Sequence, residues 1–502
     1  MNKKFLNLLL IPILLASCSK SNNDSESHSA SDEGNYIIKE DVDITFMTLL
    51  YGDYYEKLQD KIDEFMKVEP HVKVNLSNPV GAGKYAALEK YVVAGFFKED
   101  YPDIAQCYPE NVLKYMSHDK VVKLDEYLLN DDYGIIDAEG ESDYIRSFLD
   151  EGRGYTKEGT YSLPFCKSTE LLYYNKDVLE GLDLTSIDNT INEGKPIDAN
   201  YLNNLTWHEL FEKLCPAIEI YNRDVKTIMN MTNNSTIFTY DSDENFFITL
   251  ADQYGYGYTS KDEDGYGSID FDNDGMKDLM RMLNTAAKVI KDEQGNTTKM
   301  SYLKTYGTNN FKYVSSLFTN KETLFTLSST AGFDYNFSNS FELGVARIPH
   351  AENREYSCIN QGPSICILDH DDENRTLASY LLWRYLTDEE NALEWSLYTG
   401  YMCIRDSSYE SETYNAALNV GDDATSYDKA KAAHLNKVAE VKDFMFNTSL
   451  FKGSGNARTN VGQLIIDCIL SEDLESEIDE LFKSYSDEAK EHLAVKPNGD
   501  NI

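Results

Sequence analysis

Beyond Leu15 the 502-residue chain has no run of eighteen or more apolar residues, so no later segment is long and apolar enough to span a bilayer as a helix. Positive charge is also scarce: 46 Lys and Arg stand against 86 Asp and Glu, a formal net charge of −40. That excess repels phosphate backbones and anionic lipid surfaces, which argues against nucleic-acid binding and for solubility. The eight cysteines, at positions 18, 107, 166, 215, 358, 366, 403 and 468, are too scattered for a disulfide scaffold. Cys358 and Cys366 are spaced to bridge a hairpin, but buried free thiols are the expectation. No two of the eight histidines lie four apart, and His-Glu-x-x-His, Cys-x-x-Cys and Gly-x-Ser-x-Gly are all missing. Metal-dependent hydrolysis and the serine-hydrolase elbow lose support, and neither a metal nor a cofactor is expected.

Two partial motifs are incomplete. Gly81-Ala82-Gly83-Lys84-Tyr85 lacks the leading glycine and the Ser/Thr of a phosphate-binding loop and reads as a turn before a helix. Asp270-Phe271-Asp272-Asn273-Asp274-Gly275 opens like an EF-hand loop, but Arg281 occupies the place of the final acid. A polar turn that caps the following helix is expected there.

What is present begins at the N-terminus. Lys3 and Lys4 precede a largely apolar stretch, Phe5 to Leu15, which has the length of a secretory h-region. It runs into Leu15-Ala16-Ser17-Cys18, which resembles a bacterial lipoprotein lipobox. Residues 1–17 therefore read as a signal peptide and Cys18 as the lipid-bearing N-terminus of the mature chain. Residues 18–42, rich in Ser, Asn, Asp and Glu, read as a flexible tether. A body of about 460 residues follows, too large for one ordinary core, which suggests two lobes.

The body opens with a strand at Asp43–Met47, a helix carrying Leu58, Ile62, Phe65 and Met66 on one face, and a strand in which Val72, Val74 and Leu76 alternate with polar residues. A helix around Tyr85, Leu88, Val92 and Phe96 leads into Ile104–Cys107. This is βαβ patterning, and a parallel sheet flanked by helices is the expectation. Later strands are predicted at 325–327, 341–346 and 364–368, with helices over 376–386 and 389–398. An amphipathic C-terminal helix carries Leu470, Leu474, Ile478, Leu481, Phe482 and Tyr485. The class is α/β.

The segment Leu163-Pro164-Phe165-Cys166-Lys167-Ser168-Thr169-Glu170-Leu171-Leu172-Tyr173-Tyr174-Asn175-Lys176-Asp177 resembles the hinge-crossing strand of family 1 extracellular solute-binding proteins, which include the maltose-binding and glycerol-3-phosphate-binding proteins of ABC transporters. Leu205-Thr206-Trp207-His208-Glu209-Leu210, Ala105–Glu110, Leu327–Gly332, Leu343–Pro349 and Trp395–Ile404 are similar to further segments of that family, in the same order. The resemblance implies a two-lobed, periplasmic-binding-protein-like fold with a hinge and an interlobe ligand cleft. One lobe would comprise 43–165 plus 360–395, the other 168–358 plus 400–500. It also implies a monomer on the extracytoplasmic face of a bacterial membrane, held there by the lipid on Cys18, that passes a carbohydrate or sugar-phosphate ligand to ABC transporter permease subunits.

By position in the matched motifs, Tyr85, Glu110, Ser168, Ser329 and Tyr401 correspond to cleft residues. Aromatic faces suit the apolar side of a sugar ring, while carboxylates and hydroxyls suit its OH groups. Each also has a structural reading: core rings for Tyr85 and Tyr401, turn closure for Ser168 and Ser329, a helix-start acid for Glu110. Arg458, after Gly455-Asn456, is a candidate anion contact, although in the glycerol-phosphate branch the arginine precedes that pair. Lys167 either adds a second positive charge to the site or points to solvent. Asp53, in the turn Tyr51-Gly52-Asp53-Tyr54, is placed to bind hydroxyls or to cap the next helix. Two rival readings remain open, an exported glycosidase and a carbohydrate sensor or adhesin, but no carboxylate pair is singled out by a motif.

Overall fold

Alternating apolar residues build the first sheet. In the computed structural model, which describes residues 36–81, 84–305 and 313–495, β1 (Val42–Met47) and α1 (Asp53–Val68) lead into β2 (Val72–Ser77). β1 and β2 pair in parallel, with Ile44 opposite Val74 and Phe46 opposite Leu76. Leu58, Ile62 and Phe65 recur at helical spacing along α1 and are buried. α2 (Tyr85–Phe96) buries Leu88 and Val92 and feeds β3 (Ile104–Cys107), which is parallel to β1 and buried throughout. α3 (Pro109–Met116) and α4 (Arg146–Glu151) follow, and then the two-residue β4 (Leu163–Pro164). The signal peptide, Cys18 and most of the tether lie outside the described residues, as do Ala82 and Gly83. Contacts separate Met1–Ile37 from a single body, Ile38–Ile502.

From β4 the chain crosses to a second sheet. All six residues of β5 (Glu170–Asn175) are buried. β6 (Phe238–Tyr240), α5 (Asp243–Tyr254), α6 (Asp274–Ala287), β7 (Leu303–Thr305), β8 (Phe325–Ser329) and β9 (Leu343–Ala346) complete this half. The strand order is β7-β6-β8-β5-β9, with β5 antiparallel to both neighbours. β10 (Ser364–Ile367) returns to the first sheet, giving β2-β1-β3-β10-β4. α7 (Glu373–Leu386) then packs on β1 and α1, and α8 (Glu389–Thr399) follows it. α9 (Ser426–Val441) lies against β9, and α10 (Ser454–Leu470) is wrapped by α5, α6 and α11 (Leu474–Lys490).

Several expectations change. Both sheets are mixed rather than wholly parallel, because the crossing strands β5 and β10 run against their neighbours. Leu470 ends α10 and does not begin the C-terminal helix: Ser471, at ψ 130°, breaks the helix there. The EF-hand-like turn caps α6, where the Asn273 side chain accepts from the Met276 amide at 3.0 Å. The seven described cysteines are buried free thiols, and Cys358 and Cys366 stand in different sheets.

Candidate functional site

Three backbone segments meet where the chain passes between the sheets. The Cys166 amide donates to Pro363 O at 3.0 Å, Ser168 and Gln361 exchange amide bonds at 2.8 and 3.0 Å, and the Met402 amide donates to Lys167 O at 2.8 Å. Gly362 lies in this crossing at φ +88°, and a Cβ there would sit 2.2 Å from Cys166 O. Only glycine accommodates both the left-handed backbone and the close approach.

Lys167 settles beneath this crossing, neither in the ligand site nor in solvent. Its side chain is 0% exposed, and Nζ donates to the Glu151 carboxylate at 2.8 and 3.0 Å and to Gly362 O at 2.9 Å. Glu151 also accepts from Ser364 Oγ at 2.9 Å and from Asn360 Nδ2 at 3.3 Å. A buried lysine is tolerable because its charge and its donors are all matched.

Above the crossing opens a cavity of about 1320 Å³. Tyr85, Glu110, Ser168, Ser329, Tyr401 and Arg458 all line it. They come from the first turns of α2 and α3, the crossing itself, the end of β8, the turn after α8 and the first turns of α10. Asp53 stands outside the lining, exposed in the first turn of α1, whose N-cap is Gly52. The Tyr85 and Tyr108 rings meet edge to face at 4.7 Å. Burial first, then mutual proximity with neighbours that include Tyr108, raises the hydroxyl pKa of both Tyr85 and Tyr401 well above the ordinary phenol value. The same effects push Tyr108 up to about 12. These phenols therefore stay neutral and offer both a ring face and a hydroxyl.

The polar wall is a connected set. Glu170, 0% exposed at the start of β5, accepts from Asn245 Nδ2 at 3.3 Å. Asn245 in turn contacts the Gln361 side chain and accepts from Arg458 Nη2. Desolvation, reinforced by the charge of Asp241, pushes the Glu170 carboxyl up to about 8. Asp241 opens onto the cavity and accepts from Ser328 Oγ at 2.6 Å; loss of solvent raises its pKa too. Burial works against the charge of Arg458, but Glu110, Tyr258, Glu244 and Tyr108 outweigh it, so its pKa rises. A Cβ on Gly455 would lie 3.3 Å from Glu110 Cβ and Cγ, so the first turns of α10 and α3 nearly touch. Ser329 also closes a turn, accepting from the Ala331 amide at 3.3 Å.

Tyr108, Asp241, Glu244, Asn245 and Gln361 are lining residues that the sequence did not single out. Tyr108 sits one position before Glu110's helix, inside a motif already matched. Ser242, whose side chain accepts from the Asn245 amide, is a readable N-cap that would have located the polar start of α5.

The sequence model of a family described as bacterial extracellular solute-binding protein matches residues 61–421. No curated protein matches the chain in sequence. Among solved structures, UgpB from Mycobacterium tuberculosis, in complex with glycerophosphocholine, is similar with a TM-score of 0.65 at 16% identity, over 89% of this chain and 98% of its own. The sugar-binding protein MalE from Xanthomonas citri gives 0.64 at 17%, over 90% and 98%. The ABC substrate-binding protein Lmo0181 from Listeria monocytogenes, in complex with cycloalternan, gives 0.64 at 15%, over 90% and 99%. At these identities the likeness establishes a shared two-lobed fold.

Proposed function

Since the chain belongs to the family of bacterial extracellular solute-binding proteins, we propose that its cleft captures a carbohydrate outside the cytoplasm and delivers it to the permease subunits of an ABC importer. The observation that carries this reading is the lining of the cavity: neutral phenols beside carboxylates, amides and hydroxyls, with the one arginine already facing Glu110 and Glu244. Such a wall presents ring faces and a dense set of acceptors, which suits a neutral polyol better than a doubly charged phosphate. The ligand would be held by Tyr85, Glu110, Ser168, Ser329, Tyr401 and Arg458, with Asp53 near the entrance. Cys18 would carry the lipid that keeps the monomeric chain at the membrane. The chain performs no chemistry on its cargo; closure of the lobes around it is the functional event.

A second reading, a glycerol-phosphate ester or phosphodiester, is favoured by Lys114, Lys157, Lys452 and Arg458 at the cavity. UgpB, the structural neighbour, was solved with a ligand of that kind. Calorimetry against mono-, di- and oligosaccharides and glycerophosphodiesters separates the two. The carbohydrate reading expects a saccharide to bind, with compaction in small-angle scattering and no hydrolysis, and expects Arg458→Ala to weaken it by no more than about tenfold. Binding of a phosphodiester alone, abolished by Arg458→Ala, would refute it in favour of the ester.

A further inference from the structure

The turn Tyr51-Gly52-Asp53-Tyr54 lies outside the cavity, yet it is joined to it. Tyr54 OH donates to Thr399 O at 3.3 Å, and the Tyr401 amide donates to Thr399 Oγ1 at 3.2 Å, so one short turn holds both tyrosines. Gly400, at φ +79°, makes that turn and leaves Tyr401 lining the cavity. Outward from Tyr54, the Tyr398 ring lies 5.9 Å away, edge to face, and is 43% exposed. Tyr51 is 64% exposed, and Tyr335, on the short helix Phe333–Asn336 of the other half, is 65% exposed. Burial, then Asp334, Tyr335, Tyr398 and Tyr51 in turn, raises the Tyr54 hydroxyl to about 12, which brings these side chains from both halves into one neighbourhood. Tyr401 is affected by Tyr54 and Tyr335 as well.

Large exposed rings in a contiguous group are unusual on a soluble surface and mark contact sites. Here carboxylates alternate with the rings: Asp53 is exposed beside Tyr54, and Asp334 accepts from Tyr427 OH at 2.8 Å. Ring faces flanked by carboxylates match a pyranose chain, whose apolar faces and hydroxyls alternate in the same way. We propose that Tyr51, Tyr54 and Tyr335 form an outer saccharide subsite, continuous with the cavity through Tyr401, that holds the sugar units of an oligosaccharide extending beyond the cavity. The proposal rests on the carbohydrate reading above and narrows it to a chain of several sugars.

The test uses calorimetry with ladders of α- and β-linked gluco-, manno- and xylo-oligosaccharides, from disaccharide to hexasaccharide, on the wild-type protein and on Tyr51→Ala/Tyr335→Ala. Both substituted residues are exposed and outside the cavity lining, so affinity for the shortest bound member serves as the check that the cavity is intact. The expected result is a wild-type affinity that rises with chain length, and a loss of about tenfold in the double variant confined to the longer members. A ladder that binds with no gain from length, or whose gain survives in the double variant, overturns the outer subsite and leaves the carbohydrate reading standing. If no member of any ladder binds, the carbohydrate reading fails, and the subsite with it.

Discussion

Replacing Lys167 with methionine removes the only cation that faces Glu151 beneath the crossing, while keeping a side chain of similar length. The carboxylate would retain Ser364 Oγ at 2.9 Å and Asn360 Nδ2 at 3.3 Å, but it is nearly shielded from water. At 2.8 Å and an effective dielectric of about 20, the lost attraction is about 6 kcal/mol. Desolvation of both charges offsets much of this in the native pair, so the expected cost of orphaning Glu151 is about 3–5 kcal/mol. Urea unfolding followed by circular dichroism would read it as a lower midpoint. Lys167→Met combined with Glu151→Gln should recover part of the loss, with a coupling energy of about 2 kcal/mol or more, because no unpaired charge is then buried. A single variant that loses less than about 1 kcal/mol would refute the account of this pair.

Two further substitutions test the same region. Gly362→Ala places a Cβ 2.2 Å from Cys166 O at φ +88° and should cost about 2 kcal/mol or more, read as a lower urea midpoint; an unchanged midpoint would show that the crossing is pliant. Glu170, whose pKa rises from 4.5 to about 8 on folding, keeps a proton in the folded chain that the unfolded chain has already lost. Its effect is therefore nil below about 4.5, and stability falls as pH climbs from there to about 8. Glu170→Gln should flatten that decline in thermal unfolding across the window. Parallel wild-type and variant curves would rule out burial of the neutral acid.

The first sheet was legible because its chemistry is local. Val72, Val74 and Leu76 alternate, and Leu58, Ile62 and Phe65 recur at helical spacing, so each element shows its buried face in its own residues. α5 and α10 were not, since both are buried around most of their circumference and carry little periodicity. That loss extended to the site, because Arg458 belongs to α10 and Glu244 and Asn245 to α5. Ser168 and Tyr401 were found through motif resemblance, which carries information that spacing alone lacks. Lys167 could not be assigned from sequence, because its partner Glu151 lies sixteen positions upstream on α4 and only the crossing brings them together. The mixed strand directions likewise depend on where the chain crosses, which no single strand records.

Ser168 and Gln361 belong both to the backbone crossing and to the floor of the cavity. For a rotation about the crossing, the floor lies on the axis and the walls lie far from it. A ligand touching only the floor gains nearly the same contacts whether the lobes are apart or together, and so has no leverage on the equilibrium between those states. Glu110 and Arg458, out on opposing walls, move through the longest arc. The division of labour is mechanical: residues at the fulcrum decide how strongly a ligand is held, and residues at the ends of the levers decide whether holding it shuts the jaw.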